Sequence, residues 1–279
     1  MREQRLSGTR ERLDVFGGVY SNHHALATVL RDIAARAAEH AACLGDLGGF
    51  GPHPERSIAL LRASGVPTVQ GNYDHSIGHG LDDCACGYTD PEDEHFAQLS
   101  YDYTAAHVGD DSRAWLRELP RERRLTLGGR RVLLCHGSPR RQNEFLWAST
   151  CSDDFLRWLC DTYSADIMVC SHTGMHWSRE LPDGRLVVNC GAIGRPAHDG
   201  RTHTWYAGIT AGPERATVEF LPVHHDHEAL ASEMDAERLP AEFVTTIRTG
   251  WWITCLGNMP ARERLAARER LGAGARLAP

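Results

Sequence analysis

Asp46, Asn72, His136 and His172 are oxygen and imidazole donors, and each stands just after a short apolar run. A carboxylate, an amide oxygen and two imidazoles form the mixed nitrogen and oxygen set that a divalent metal ion takes. Singly, each residue is ordinary: an Asp after Gly usually makes a turn or caps a helix, and a His after a strand usually serves a structural hydrogen bond. Their shared placement gives the set its meaning. Other donors lie near the same positions. Tyr20 offers a hard phenolate suited to Fe(III), and Cys84 and Cys86, preceded by Asp82 and Asp83, offer two softer thiolates. The spacing of that pair is CxC and not the CxxC of zinc knuckles, so a ligand pair and two ordinary surface thiols are equal readings of it. His75, His79 and His176 are further nitrogen donors. For an anion, Arg195 in its Gly-Arg-Pro turn, and Arg140 and Arg141 after the His136 tip, present guanidinium groups that pair bidentately with phosphate.

The elements that must position these residues alternate between strand and helix. Residues 13–19 read as a strand running into Gly17-Gly18, residues 22–38 as a helix with Leu26, Val29, Leu30 and Ile33 on one face, and residues 41–44 as a strand ending at Gly45-Asp46. A helix around residues 58–61 leads to a strand at 66–69 and the polar loop Gly71-Asn72-Tyr73-Asp74. Strands at 131–135, 166–170 and 186–189 run into His136-Gly137-Ser138-Pro139, Ser171-His172-Thr173-Gly174 and Gly191-Ala192-Ile193-Gly194-Arg195-Pro196. Helices are predicted over 92–107 and 112–119, a hairpin over 205–210 and 216–221, and helices over 228–234, 241–249 and 261–271. Open α/β sheets bind ligands beyond the carboxyl ends of their strands, which is where all of these polar tips fall.

Composition narrows the partners. The 279 residues, 42% of them hydrophobic and 24% charged, suffice for one large core. The net charge of −7 gives no basic field for a nucleic-acid polymer and favours a small phosphate-bearing substrate. There is no lysine, which removes P-loop and Schiff-base chemistry. The 9 cysteines are an odd number in a chain too large to need staples, so reduced thiols are expected. No stretch is apolar enough to span a membrane or to act as a secretion signal, so the expectation is a cytoplasmic protein, with a homodimer left open.

Read in order, Gly45-Asp46, Gly71-Asn72-Tyr73-Asp74, His136-Gly137 and Ser171-His172-Thr173 resemble the GD, GNxD, HG and GHxH motifs of the calcineurin-like metallophosphoesterases. Residues 45–52 and 189–196 also resemble the GDxxxxGP and NxGSxGxP segments of the small bacterial branch of that family. The resemblance covers about residues 13–221. It implies an α/β fold, a four-layer α/β/β/α sandwich, here with a helical C-terminal extension. The expected organisation is a flexible N-terminus at 1–12, a metallophosphoesterase domain at 13–222, and an extension at 223–279 packed on the same domain.

Such proteins hold two metals about 3.5 Å apart that clamp a phosphoryl oxygen and generate the attacking hydroxide. By resemblance Asp46 is the bridging carboxylate, and Asn72, His136 and His172 complete the second metal's sphere. The first metal's own ligands are replaced by Gly18, Tyr20 and Gly174. Either one ion is held, or a second is held differently, through Tyr20, Cys84 or Cys86. The expected cofactor is Mn, Zn or Fe. The histidine that relatives place inside GNHD is Tyr73 here, so the acid or orienting role is expected of His75 or His79. The resulting expectation is hydrolysis of a small phosphomonoester or phosphodiester, with Asp46, Asn72, His136, Arg195 and His75 as catalytic residues. Two alternatives stand beside it: a non-catalytic metal- or ligand-binding relative, and an iron enzyme with redox chemistry. Trp251 and Trp252 read as packing against the sandwich or as a lid, and His224-His225-Asp226-His227 as the cap of the helix that follows.

Overall fold

The strands alternate side chains between two apolar environments, and that alternation builds the layers. Residues 10–265 are described by a computed structural model. Along the chain run β1 (Glu11–Phe16), α1 (His23–Arg36), β2 (His40–Cys43), α2 (Pro54–Ser64), α3 (Asn72–His79), α4 (Pro91–Ala106), α5 (Asp110–Arg117), β3 (Glu122–Leu127), β4 (Arg130–Cys135), α6 (Asp153–Thr162), β5 (Ile167–Cys170), β6 (His176–Glu180), β7 (Leu186–Cys190), β8 (Thr204–Ala211), β9 (Ala216–Val223), α7 (His227–Ala236) and α8 (Ala241–Thr249). They form a sheet of order β2-β1-β8-β9 and a sheet of order β3-β4-β5-β7-β6. Leu13, Val15, Val132, Leu134, Ile167, Val169, Val188 and Ile209 point between the sheets into one core. Their sequence neighbours point outward: Phe16 and Tyr206 meet Leu26, Val29 and Leu61 of α1 and α2, and Met168, Cys170 and Val187 meet Leu156 and Leu159 of α6. Period-two burial on both faces thus gives an α/β/β/α sandwich.

Parallel pairing of β1 with β2, and of β4, β5 and β7 with one another, brings the carboxyl ends of these strands to one rim. The C-terminal helices cover part of it. Leu230, Met234, Phe243 and Ile247 of α7 and α8 pack on Phe50 in the loop after β2. Beyond Gly250, a left-handed cap, a strap carries Trp252 and Met259 onto Trp147. Buried Asp93 of α4 latches that strap by accepting from the backbone N–H groups of Leu256 at 3.1 Å, Gly257 at 2.8 Å and Asn258 at 3.2 Å.

Several sequence expectations need correction. The strand expected at 66–69 is a single bridge between Cys43 and Thr68, because Pro67 supplies no backbone donor. Asn72 and Asp74 lie in helix α3 and not in a loop, since Gly71 is an extended N-cap and the Asp74 carboxylate caps the first turn. β3, β6 and α6 were not foreseen. β3 is Arg-rich and lies at a sheet edge with its outer residues exposed, so it lacks a strand's apolar run. The cap reading of Asp226 agrees with the structure: its carboxylate accepts from Ala229 N at 2.9 Å. Of the helix expected at 261–271, residues 261–265 are helical and the rest lie outside the described residues, as do residues 1–9.

The junction of α1 with the C-terminal extension generates a pH dependence. Asn22 caps α1 through Ala25 N, and its amide donates to Nε2 of His225 at 3.1 Å, which must therefore keep its lone pair. Burial pushes the His225 pKa down to about 4 from the ordinary 6.5. An unfolded chain binds that proton more readily, so stability is present above about 6.5 and lost as pH falls through that value toward 4. His23 and His198, also held down to about 4 by burial, act in the same direction. Urea unfolding at a series of pH values should show His225→Gln losing stability less steeply than wild type across this window. Equal slopes would remove His225 from the account.

Candidate metal centre

The strand tips go on bonding to one another after the strands end. Gly18 N donates to Gly45 O at 2.9 Å, Tyr20 N to Asp46 O at 2.9 Å, Ile193 N to Gly17 O at 3.0 Å and Ser171 N to His136 O at 2.7 Å. The tip of β1 thereby ties the two sheets together. The glycines before the ligands are required by crowding: a Cβ on Gly45 would lie 2.3 Å from Gly71 N, and one on Gly71 2.2 Å from Asp46 Oδ1. Asp46 and His172 themselves sit in the left-handed region, at φ 56° and 57°. Non-glycine residues held there mark sites where surrounding structure overrides local preference.

Asp46, His136 and His172 converge in a buried cluster. His136 Nε2 lies 3.1 Å from Asp46 Oδ2 and 3.1 Å from His172 Nδ1. The outer nitrogens fix the tautomers. His136 Nδ1 faces the Leu44 carbonyl at 2.6 Å and His172 Nε2 faces the Cys86 carbonyl at 3.2 Å; since a carbonyl only accepts, each must carry the proton. Two imidazole lone pairs and a carboxylate oxygen are left facing one another, which only a proton or a cation between them relieves. Asn72 precedes Tyr73, whose N–H donates to Asp46 Oδ1 at 3.1 Å. The Asn72 amide nitrogen donates to Cys84 O at 2.8 Å and touches Cys86 Sγ at 3.3 Å, while its Oδ1 is buried without a hydrogen-bond partner. A buried amide oxygen without a hydrogen-bond partner is a donor that could take a metal ion.

Electrostatics follow this arrangement. Burial alone would raise the Asp46 carboxyl, but His136, by charge and hydrogen bond, and His172 bring it below the ordinary range. Burial would lower His136, but the charge and hydrogen bond of Asp46 raise it, whereas burial and the neighbouring His136 hold His172 down to about 3. Asp74, pushed up to about 6 by burial and by the Asp46 charge, accepts from Asp46 N, Leu47 N and Gly71 N at 2.9, 2.9 and 2.8 Å.

The remaining candidates divide. Arg195, 6% exposed, lines a cavity of about 50 Å³ together with Asp46, His172, Tyr20 and Cys86. Its guanidinium lies 3.5 Å from the centre of the Trp252 ring and 5.3 Å from that of Phe50, so Trp252 stacks on the arginine as well as packing against Trp147. Cys84 and Cys86 are joined in a disulfide and supply no thiolate, which corrects both the expected reduced pair and its ligand role. Tyr20 borders the cavity, and its hydroxyl is raised by burial and by the Asp46 charge. His75 does not line the cavity; it sits one turn along α3 with its ring against His79 at 4.3 Å. Arg140 is exposed and paired with Glu144. Arg141 is exposed outside the cavity. At the replaced positions, a Cβ on Gly18 would come 2.7 Å from Ala192 Cβ and 3.1 Å from Tyr20 Cζ, and one on Gly174 3.2 Å from Trp252. Rings fill the space that longer side chains would need. Asp74 and the aromatic walls, Phe50 and Tyr88 among them, carried no role in the sequence reading, although the final Asp of GNxD was the available signal for Asp74.

The fold and this cluster define a metal-binding phosphoesterase architecture, and the calcineurin-like phosphoesterase superfamily domain matches residues 15–210. The chain belongs to that superfamily, whose members bind divalent metals. It is 23% identical over 242 residues to an uncharacterized protein of Methanocaldococcus jannaschii, covering 83% of this chain and 95% of the relative. Among solved structures it resembles a hypothetical protein of Pyrococcus horikoshii OT3, with TM-score 0.69, 20% identity, and 86% and 99% of the two chains covered. A metallophosphoesterase from Sphaerobacter thermophilus gives TM-score 0.65, 23% identity, and 87% and 100% coverage.

Asp74 provides a test of how the ligand loops are held. Asp74→Asn must turn an NH₂ toward at least one of three backbone N–H groups, leaving buried donors unpaired at a cost of about 1–3 kcal/mol. Urea unfolding should show that loss, with weakened metal binding because Asp46 N and Gly71 N flank the ligands. A variant as stable as wild type would show that these bonds do not hold the loops.

Proposed function

We propose that the protein is a metal-dependent hydrolase of a small phosphoester, acting at one metal position held by Asp46, Asn72, His136 and His172. The observation that carries this reading is the buried convergence of Asp46, His136 and His172, in which the tautomers turn both imidazole lone pairs inward: His136 Nε2 faces Asp46 Oδ2 and His172 Nδ1 faces His136 Nε2. A divalent ion bound there, such as Mn, Zn or Fe, supplies Lewis acidity that activates water and withdraws charge from a phosphoryl oxygen.

The chain's own residues do the rest. The Leu44 and Cys86 carbonyls hold both imidazoles in the ligating tautomer. Tyr73 N anchors Asp46 Oδ1 at 3.1 Å, and its hydroxyl is occupied with Ser100 and Ala97, so it does not replace the missing histidine. Arg195 offers donors to anionic oxygens within the same cavity. Tyr20, protonated at neutral pH, adds a hydrogen-bond donor on the wall.

His136→Ala tests the assignment. Purified wild type should carry one tightly held equivalent of metal, and the variant none, with unchanged secondary structure by circular dichroism. Wild-type metal content in the variant would refute the ligand set.

A further inference from the structure

A second group of metal-type donors lies where the C-terminal helices meet α1. His23 and His24 open α1, and Glu233 stands in the last turn of α7. Two imidazole nitrogens and a carboxylate oxygen from these residues all lie within 4.8 Å of one another. His24 Nε2 is 3.1 Å from Glu233 Oε1, and His23 Nδ1 is 4.0 Å from Glu233 Oε2. The second separation is too long for a hydrogen bond. Both of its atoms are sealed from solvent, and among the described residues neither has a hydrogen-bond partner. Two buried polar atoms facing each other across such a gap are costly unless something joins them. The charges around Glu233 leave the same need. α7 has no basic residue in its last turn, so the carboxylate sits at the negative end of the helix dipole. Arg56 comes within 3.8 Å of it from a side chain that stays 57% exposed.

We propose that His23, His24 and Glu233 form a second metal site, a clasp that takes a first-row transition ion such as Zn²⁺ and fastens the C-terminal helices to the sandwich. The donor chemistry supports it: two imidazoles and a carboxylate are a set that zinc takes, with a fourth position left for water. So does the spacing. Ligand bonds of about 2.0–2.1 Å in a tetrahedron put donor atoms roughly 3.4 Å apart. The separations of 3.1 and 4.0 Å lie on either side of that value. Ligation needs the lone pair of His24 Nε2, so the proton that this nitrogen shares with Glu233 moves to Nδ1 of the same ring. The positive end of α1 works against a cation here, and the Glu233 charge with the negative end of α7 offsets it. An ion can enter, since the three side chains are 20–26% exposed. That exposure also sets the clasp apart from the buried Asp46 cluster: the deeper centre keeps its ion through purification, whereas the clasp fills when zinc is supplied. Closing it would steady the rim, because α7 and α8 pack together on Phe50 and Phe243 of α8 lines the cavity.

Titration of the purified protein with Zn²⁺ against a chromogenic chelator tests the clasp. Wild type should take up one zinc beyond the metal it carries, and His136→Ala should still take up one. His24→Ala and Glu233→Gln, each made in wild type, should weaken that uptake at least tenfold. Added zinc should raise the thermal midpoint of wild type by several degrees and leave that of Glu233→Gln unmoved. Uptake indifferent to both His24 and Glu233 would overturn the proposal, as would a wild type that takes up no further zinc. Because the readout is the zinc that depends on these two residues, a failure of the Asp46 ligand set leaves the test intact. If the variants do not fold, wild-type crystals grown with zinc decide the matter by anomalous scattering at the zinc edge. A peak among the three side chains supports the clasp, and no peak there overturns it.

Discussion

Two imidazole lone pairs held face to face in a buried cluster are the constraint around which the rim of this protein is arranged. Like-facing lone pairs beside a carboxylate repel unless positive charge lies between them, and the protein spends backbone carbonyls from two different loops to hold them so. His136 comes from one sheet, and the carbonyl that fixes it, Leu44, from the other. The centre therefore exists only when the two sheets are packed. The ladder of tip-to-tip hydrogen bonds and the left-handed backbone at Asp46 and His172 are consequences of bringing these groups so close.

The other half of the rim is organised around a guanidinium. Around Gly18 and Gly174 the volume holds the Tyr20 and Trp252 rings, with Arg195 between aromatic faces. These residues are mutually consistent: glycine at 174 leaves room for the indole, and the indole positions the arginine. A fixed organic cation differs from a metal ion in that it needs no ligands, cannot dissociate and presents its charge as directed N–H donors.

Much of this was legible in the sequence, because the strands are apolar runs and their ends carry motif residues at readable spacing. The layers, the rim and the Asp46, His136 and His172 cluster follow from that pattern. The misses have local causes. An Arg-rich edge strand such as β3 carries little hydrophobic signal, and α3 begins in a Gly-Asn-Tyr-Asp stretch that reads as a turn until the capping bonds of Asp74 are seen. The cysteine pair could not be read as a disulfide because CxC spacing is compatible with several states. His75 was proposed from its nearness along the chain, yet one helical turn carries it to His79 and away from the cavity. The role of Trp252 was out of reach, since nothing local ties residue 252 to residue 195.

The position of β1 in its sheet has a consequence for how the chain is made. β1 pairs with β2 on one side and with β8, nearly two hundred residues later, on the other. A nascent chain released as far as α6 holds Asp46, Asn72 and His136 but lacks His172, the second partner of β1 and the strap that seats Trp252. Contacts of such long sequence separation form late because loop closure must precede them. The Asp46, His136 and His172 cluster is thus completed late in folding, and shortening the protein from its C-terminus removes the cavity-lining Cys255 and Phe243 well before it removes His172.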